Sequence, residues 1–391
     1  MSRNVYVVSL VSFLQDTASE LLYPVLPVFV TRVLGAPPAV LGLIEGVAEG
    51  TAASMKTVSG RLADLRHRRP LVATGYGVSA VGKLLLALAF TWPVVLLARF
   101  TDRTGKGLRG PPRDAIIADE TTTVNRGRAF GFHRAADTAG AVVGPLLGLA
   151  LLALVGEEHL RTLFFVAVIP AALSAAFVFL IREKPHPGIG VKERRWSFGG
   201  LTPRYWRLLA VLGLFSVVNF PDALLLLRAG DLGLGTGEVI VVYVLYNLSY
   251  ALLSYPAGTL SDRLDRRRIV IVGMVVFSIA YLGFGLTDTA AWVWLLLPVY
   301  GCYTALTDGV SRAWVTDLVP PSERGTALGL HAAITGIGFL VAGVWAGLAW
   351  NGTGRVPFLV SGVVVLVLAG VLATAGRSID RPGGELSRPT A

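Results

Sequence analysis

Cysteine is nearly missing from this chain: Cys302 stands alone among 391 residues. A lone thiol rules out an intramolecular disulfide, and the residue reads as a small apolar member of a helix. Charge is also scarce. Only 15% of residues are charged, whereas soluble domains average about 25%. With 53% hydrophobic residues, too little polar surface is left to coat a soluble globule, and the composition is that of a polytopic membrane protein. Signatures of catalysis are lacking too. There is no His-Glu-x-x-His pair, no Gly-x-Ser-x-Gly elbow and no Gly-rich phosphate loop. That argues against a membrane-embedded enzyme and excludes an ATP-driven pump within this one chain.

Acidic residues are outnumbered, 25 against 35 basic ones, for a net charge of +10. The excess does not mark a nucleic-acid surface, because the basic residues sit in short turns between apolar runs, as membrane topology requires. The start, "MSRNVYVVSL", is basic and then apolar but lacks a cleavage site, and Asp16 and Glu20 interrupt the run. It reads as a first membrane helix and not as a cleaved leader.

About 20 helical residues cross a hydrocarbon core of about 30 Å. Runs of that order occur at 5–33, 39–62, 71–91, 93–111, 127–155 and 160–181, and again at 206–228, 237–260, 269–289, 291–314, 325–350 and 355–376. The expectation is an all-α membrane protein of twelve transmembrane helices: a bundle over 1–181, a linker at 182–205, a second bundle over 206–376 and a tail at 377–391. Arg and Lys crowd the even-numbered loops and the linker, which puts both termini on the cytoplasmic side of the cytoplasmic membrane. Trp92, Trp292, Trp294 and Trp350 fall near the opposite ends, as an aromatic belt would.

The two halves repeat. An offset of 198 carries Gly60, Asp64, Arg68 and Arg69 onto Gly258, Asp262, Arg266 and Arg267, "RGRAFGFH" at 126 onto "RGTALGLH" at 324, and Asp119 onto Asp317. Parallel six-helix halves are a transporter plan. In the repeated turn the Gly permits close helix approach. Asp64 and Asp262 can accept charge-assisted hydrogen bonds that form in one rocking state and break in the other, so they are candidate latches of a cytoplasmic gate. Arg66 and Arg68 read as topology signals. Gly140, Gly144 and Gly148 recur every four residues on one face of span 5, with Pro145 among them, which gives close packing and a bend.

Charges inside the spans are costly unless paired or wet. Asp16 and Glu20 share a face of span 1; Glu45, Glu49 and Lys56 share one of span 2; Lys83 lies in span 3; Arg99, Asp102, Arg103 and Lys106 follow helical spacing in span 4; Arg134 and Asp137 are one turn apart in span 5. The second half is poorer, with Asn219, Asp222, Asn247, Asp308 and Arg312. The first half is therefore expected to handle protons and a charged substrate group, and the second to supply shape and hydrogen bonds. Two carboxylates one turn apart resist double ionisation, so one of Asp16 and Glu20 can hold an exchangeable proton. The competing reading pairs both with Arg99 or Arg103. An Asp-x-x-x-Glu pair also suits a hard divalent cation. His133 and His331, at equivalent positions, read as packing residues, and no resident metal or cofactor is expected.

The loop at 60–69, "GRLADLRHRR", with its repeat, resembles the loop signature of the major facilitator superfamily, Gly-x-Leu-Ala/Ser-Asp-Arg-x-Gly-Arg-Arg, departing from it at Leu65 and His67. "GAVVGPLLG" in span 5 resembles the Gly-x-x-x-Gly-Pro-x-x-Gly-Gly motif of the family's proton-coupled exporter branch, with Leu149 in place of the last Gly. "RFTDRTGKG" in span 4 is similar to its Arg-x-x-x-Gly-x-Gly element. The resemblance implies two pseudo-symmetric bundles that move a small solute by alternating access, exchanging it for protons; a monomer is expected because one chain contains both halves of a pathway. An uptake symporter and a divalent-metal exporter are the alternatives.

Overall fold

The computed structural model describes residues 1–65, 67–121, 126–182, 201–320 and 323–375. The linker expected at 182–205 and the tail at 377–391 lie largely or wholly outside the described residues. Those described form helices joined by short turns. We label them α1 (Arg3–Val33), α2 (Pro38–Leu65), α3 (Arg68–Ala87), α4 (Trp92–Asp119), α5 (Arg126–Val155), α6 (Glu157–Leu180), α7 (Pro203–Asp231), α8 (Thr236–Arg263), α9 (Arg266–Leu286), α10 (Val293–Asp317), α11 (Arg324–Leu348) and α12 (Arg355–Ala375). Ten are long and apolar enough to cross a bilayer; α2 and α4 are long enough but carry more charge.

Local sequence explains the boundaries. α7 starts three residues before the apolar run at 206 because Thr202 caps it: its Oγ1 accepts from Tyr205 N at 3.2 Å, and Pro203 occupies the first turn. The same Oγ1 donates to Leu318 O at 2.9 Å, which ties the start of α7 to the end of α10. In α1, Pro24 and Pro27 remove two backbone donors, and the helix tightens at Tyr23–Val25 before widening at Phe29–Val33. α7 breaks at Asn219, Phe220 and Pro221 and restarts at Asp222. Irregular backbone at this depth needs partners from neighbouring helices. Trp345 Nε1 donates to Val217 O at 2.7 Å, and Tyr281 OH donates to Phe220 O at 3.4 Å.

The halves close on each other at the end remote from the linker. Along that end of α2 and α11, a Cβ built on Gly42 would lie 1.9 Å from Gly343 O, and one on Gly347 would lie 2.4 Å from Ala39 Cα. Small residues permit this approach in lipid, where packing rather than hydrophobicity joins helices. Thr236 N donates to Glu157 Oε1 at 3.2 Å and Arg32 Nη2 to Gly230 O at 3.4 Å, also joining the halves there. Toward the linker end the contacts thin out. A Cβ built on Gly131 of α5 or Gly258 of α8 would meet no other helix within 4 Å, and Lys56 and Arg134 are exposed. A crevice therefore runs in from the linker end. One member of the expected aromatic belt departs from it: Trp350 is 3% exposed, and its Nε1 donates to Asp231 Oδ2 at 3.0 Å, so it packs the far end of the second half. Trp92, Trp292 and Trp294 are exposed, as a belt requires.

Candidate functional site

Four of the intramembrane charges satisfy one another behind the crevice wall. Arg99 Nε and Nη2 donate to Glu45 Oε1 and Oε2 at 2.7 and 2.6 Å, a bidentate pair from α4 to α2. Lys83 Nζ donates to Asp102 Oδ1 at 2.8 Å, and Asp102 Oδ2 lies 3.8 Å from Arg99 Nη1. All four side chains are buried, Lys83 at 2% exposure. Glycines let the helices come close enough: Gly82 of α3 abuts Asp102, and Gly105 of α4 abuts Ser79. Arg103 Nη2 reaches Glu49 Oε1 at 3.4 Å, and Glu49 opens into the crevice.

Asp16 and Glu20 are half-buried and line the crevice. The competing expectation, a salt bridge from either to Arg99 or Arg103, is not what forms, because both guanidiniums are engaged by carboxylates of α2 and α4. Glu20 Oε2 instead accepts a hydrogen bond at 2.6 Å from Tyr243 OH of α8, in the other half. The charges around Asp16 are those of Asp137, Arg109, Lys106 and Arg113. Lys106 is half-buried and, among the described residues, makes no ion pair of hydrogen-bonding length. The span 5 glycines decide where the two acids stand. A Cβ on Gly140 would lie 3.1 Å from Asp16 Cβ and 2.7 Å from Phe13 O; one on Gly144 would lie 3.1 Å from Glu20 Cβ and 2.6 Å from Thr17 O; one on Gly148 would lie 3.2 Å from Leu21 O. Pro145 is buried within α5, which stays helical through it. The motif thus packs α5 onto the acid-bearing face of α1 in the same half.

The opposing wall is aromatic. Asp222, the first residue after the break in α7, accepts from Tyr300 OH at 2.7 Å and Tyr246 OH at 3.1 Å, one on each oxygen. Tyr243 stacks on Tyr246 at 5.7 Å between ring centroids, and Tyr246 on Tyr300 at 5.5 Å. Asn219 Nδ2 donates to Tyr303 OH at 2.9 Å. These tyrosines are absent from the candidates read from the sequence. Their signal was spacing: Tyr243, Tyr246 and Tyr250 recur at three and four residues along α8, and Tyr300 and Tyr303 are three apart in α10. A search for charges passes over phenols.

Nearer the linker end, His133 is buried: Nδ1 lies 3.4 Å from Ser9 Oγ, and Nε2, with no hydrogen-bond partner among the described residues, lies 3.6 Å from Asp137 Oδ2. Asp137 also faces Arg113 at 3.9 Å, and Arg113 Nη1 donates to Ser12 Oγ at 2.9 Å. Arg134 is exposed and reaches Tyr250 OH at 3.5 Å. In the repeated turn, the side chains of Asp64 and Asp262 lie outside the described residues, as does Arg66. Arg68 is more than a topology signal. It is buried, donates from Nε to Ala63 O at 3.1 Å and from Nη1 to Ala115 O at 3.2 Å, and pairs with Asp119. Its counterpart Arg266 pairs with Asp317 at 3.0 Å. Arg69 Nη2 donates to Phe179 O at 2.8 Å, and the Arg267 backbone N to Asp265 Oδ1 at 2.9 Å. A Cβ built on Gly60 would lie an ordinary 3.7 Å from Pro111 Cβ, and one on Gly258 would meet nothing within 4 Å, so close helix approach does not require a glycine at either position here. Among the described residues no three His, Cys, Asp or Glu side chains are grouped to hold a metal ion.

A family description of the Major Facilitator Superfamily matches residues 8–227 and 208–391. An uncharacterised MFS-type transporter of Methanocaldococcus jannaschii is 33% identical over 379 residues, 95% of this chain and 94% of that protein. The multidrug resistance protein MdtH of Proteus mirabilis is 24% identical, covering 78% of this chain and 77% of its own. In fold, the chain superposes on the nucleoside transporter NupG with a TM-score of 0.80 at 16% identity, covering 97% of this chain and all of that one. A bacterial homologue of the human lysosomal transporter Spinster, crystallised inward-facing and unoccupied, gives 0.77 at 19% identity, with 98% and 100% covered. With both halves matched and its relatives transporters, this chain is a membrane transporter and not an enzyme, and it belongs to the major facilitator superfamily.

Proposed function

We propose that the protein exports a small solute across the cytoplasmic membrane in exchange for protons. In this reading the helices make twelve crossings in two six-helix halves, both termini face the cytoplasm, and the working unit is a monomer whose halves rock about the crevice. The observation that carries the reading is the 2.6 Å bond from Tyr243 to Glu20, which joins the halves deep in the crevice through a titratable group. An ionised Glu20 accepts that bond with charge assistance, and a proton on Glu20 weakens it. Proton occupancy then biases the equilibrium between closed and open far ends, and a ligand shifts such an equilibrium only through a differential interaction of this kind. Asp16, one turn away, supplies the second carboxylate. The basic linker end would be cytoplasmic, so the observed shape would be the inward-open state.

The test is a solute screen in inside-out vesicles with an internal pH dye and an imposed proton gradient. Export by exchange predicts solute-triggered proton release from the vesicle lumen, lost in Glu20→Gln. Solute entering with no proton movement in the wild type rejects the coupling, and proton movement in the same direction as the solute identifies an uptake symporter instead.

A further inference from the structure

We propose that Asp222 is the anchor for a protonated amine, so that the crevice takes an organic ammonium solute; this rests on the reading of the crevice as the transport route. Asp222, like Glu20, is satisfied by a phenol and not by a cation, and it differs from Glu20 in having both oxygens so held. Glu45, Glu49 and Asp102 each face a cation, whereas among the described residues no Lys, Arg or His forms an ion pair with Asp222. Its two oxygens accept from two neutral phenols, Tyr300 and Tyr246, both buried. A carboxylate oxygen has two lone pairs, so each keeps one acceptor site after those bonds.

The setting supports the same assignment. Asp222 is half-buried, and the break before it puts the carboxylate at the crevice level, opposite Glu20 and Glu49. The phenols hold the carboxylate through groups that carry no charge, which orients it without neutralising it. At Asp222 itself the acids predominate: the charged groups acting on it are Glu49 and Glu20, while Arg103, Lys106, Arg109 and Arg113 stand around Glu49 and Asp16. A solute carrying a positive charge and N–H donors complements that surplus, and an anion does not. An apolar or aromatic frame on the amine would lie along the tyrosine wall.

The experiment uses purified full-length protein in nanodiscs and three matched probes: 4-phenylbutylamine, the neutral 4-phenylbutanol and the anionic 4-phenylbutyrate, titrated by calorimetry. The expected result is that the amine binds at least tenfold more tightly than either analogue. Asp222→Asn removes that preference while leaving the weak binding of the alcohol unchanged. Tyr300→Phe, which keeps the ring and loses the orienting donor, lowers amine affinity several-fold and spares the alcohol. Equal binding of amine and alcohol, no amine binding up to millimolar concentration, or full amine affinity in Asp222→Asn overturns the assignment. Tightest binding of the acid places the anchor on the Lys106 wall and overturns it as well. Amine binding that depends on Asp222, without gradient-driven flux, would leave this site standing and reject the transport reading.

Discussion

Arg99 and Glu45 meet through two parallel charge-assisted hydrogen bonds, 2.7 and 2.6 Å long, between α4 and α2. Both are buried, and the pair is continuous with Asp102 and Lys83. Taking one partner from such a pair strands a buried charge, which costs about 3–5 kcal/mol. Glu45→Ala is therefore expected to lower the thermal unfolding temperature of detergent-solubilised protein sharply, and Glu45→Ala with Arg99→Ala to cost less than the sum of the two single changes. Additive losses would show that the pair does not act as a unit.

Closure of the far end rests on Gly42 and Gly343. A side chain at either position meets backbone of the other helix, and backbone cannot rotate away. Gly343→Val is expected to hold the halves apart at that end. The measurement is a spin-label distance across Val33→Cys and Leu348→Cys, both exposed near that end, in a Cys302→Ser background, broad and longer by several ångströms with the valine present. An unchanged distance would mean that other contacts set the closure.

Tyr243→Phe removes the bond to Glu20 while keeping the ring that stacks on Tyr246. Hydrogen bonds to charged groups contribute about 1.5–3 kcal/mol. The variant is expected to move the balance of states toward an open far end by about tenfold or more, and Glu20→Gln to move it the same way. The same spin-label pair reads both; a population unaffected by either change would separate Glu20 from the rocking motion.

Arg68 with Asp119 and Arg266 with Asp317 are one interaction repeated at an offset of 198. The copies are not equal in depth: the Arg68 side chain is 8% exposed and Arg266 is 23% exposed, while both aspartates are about half exposed. Solvent screens the second pair more. Asp119→Asn is expected to destabilise by about 1–3 kcal/mol, as for a hydrogen bond left unmade to a buried charged group, and Asp317→Asn by less than about 1 kcal/mol. Equal losses in thermal unfolding would show that burial of the arginine does not set the difference.

Much of the architecture is legible in the linear chain. The apolar runs foretell the helices to within a few residues, except in α4, where Pro112 to Asp119 continue the helix beyond the run that ends at 111. Asp16, Glu20, Glu49 and Lys106 are half-buried at the crevice, whereas Arg99, Asp102 and Arg103, which follow the same helical spacing as Lys106, are buried. Glu45 illustrates the limit: it lies on the same face as Glu49, yet one is buried in a pair and the other opens to the crevice.

By itself the sequence determined that the chain lives in a bilayer, that it forms two repeated halves and which helix faces carry charge. Each of these follows from hydropathy or from spacing along one helix, and both are properties of neighbours in the chain. Only the tertiary structure decided which cation answers which carboxylate, that phenols and not arginines hold Glu20 and Asp222, and that glycines of α2 and α11 shut one end of the crevice. Those facts depend on the register of one helix against another. That register is set by side-chain size and backbone approach between residues distant in the chain, which no single helix encodes.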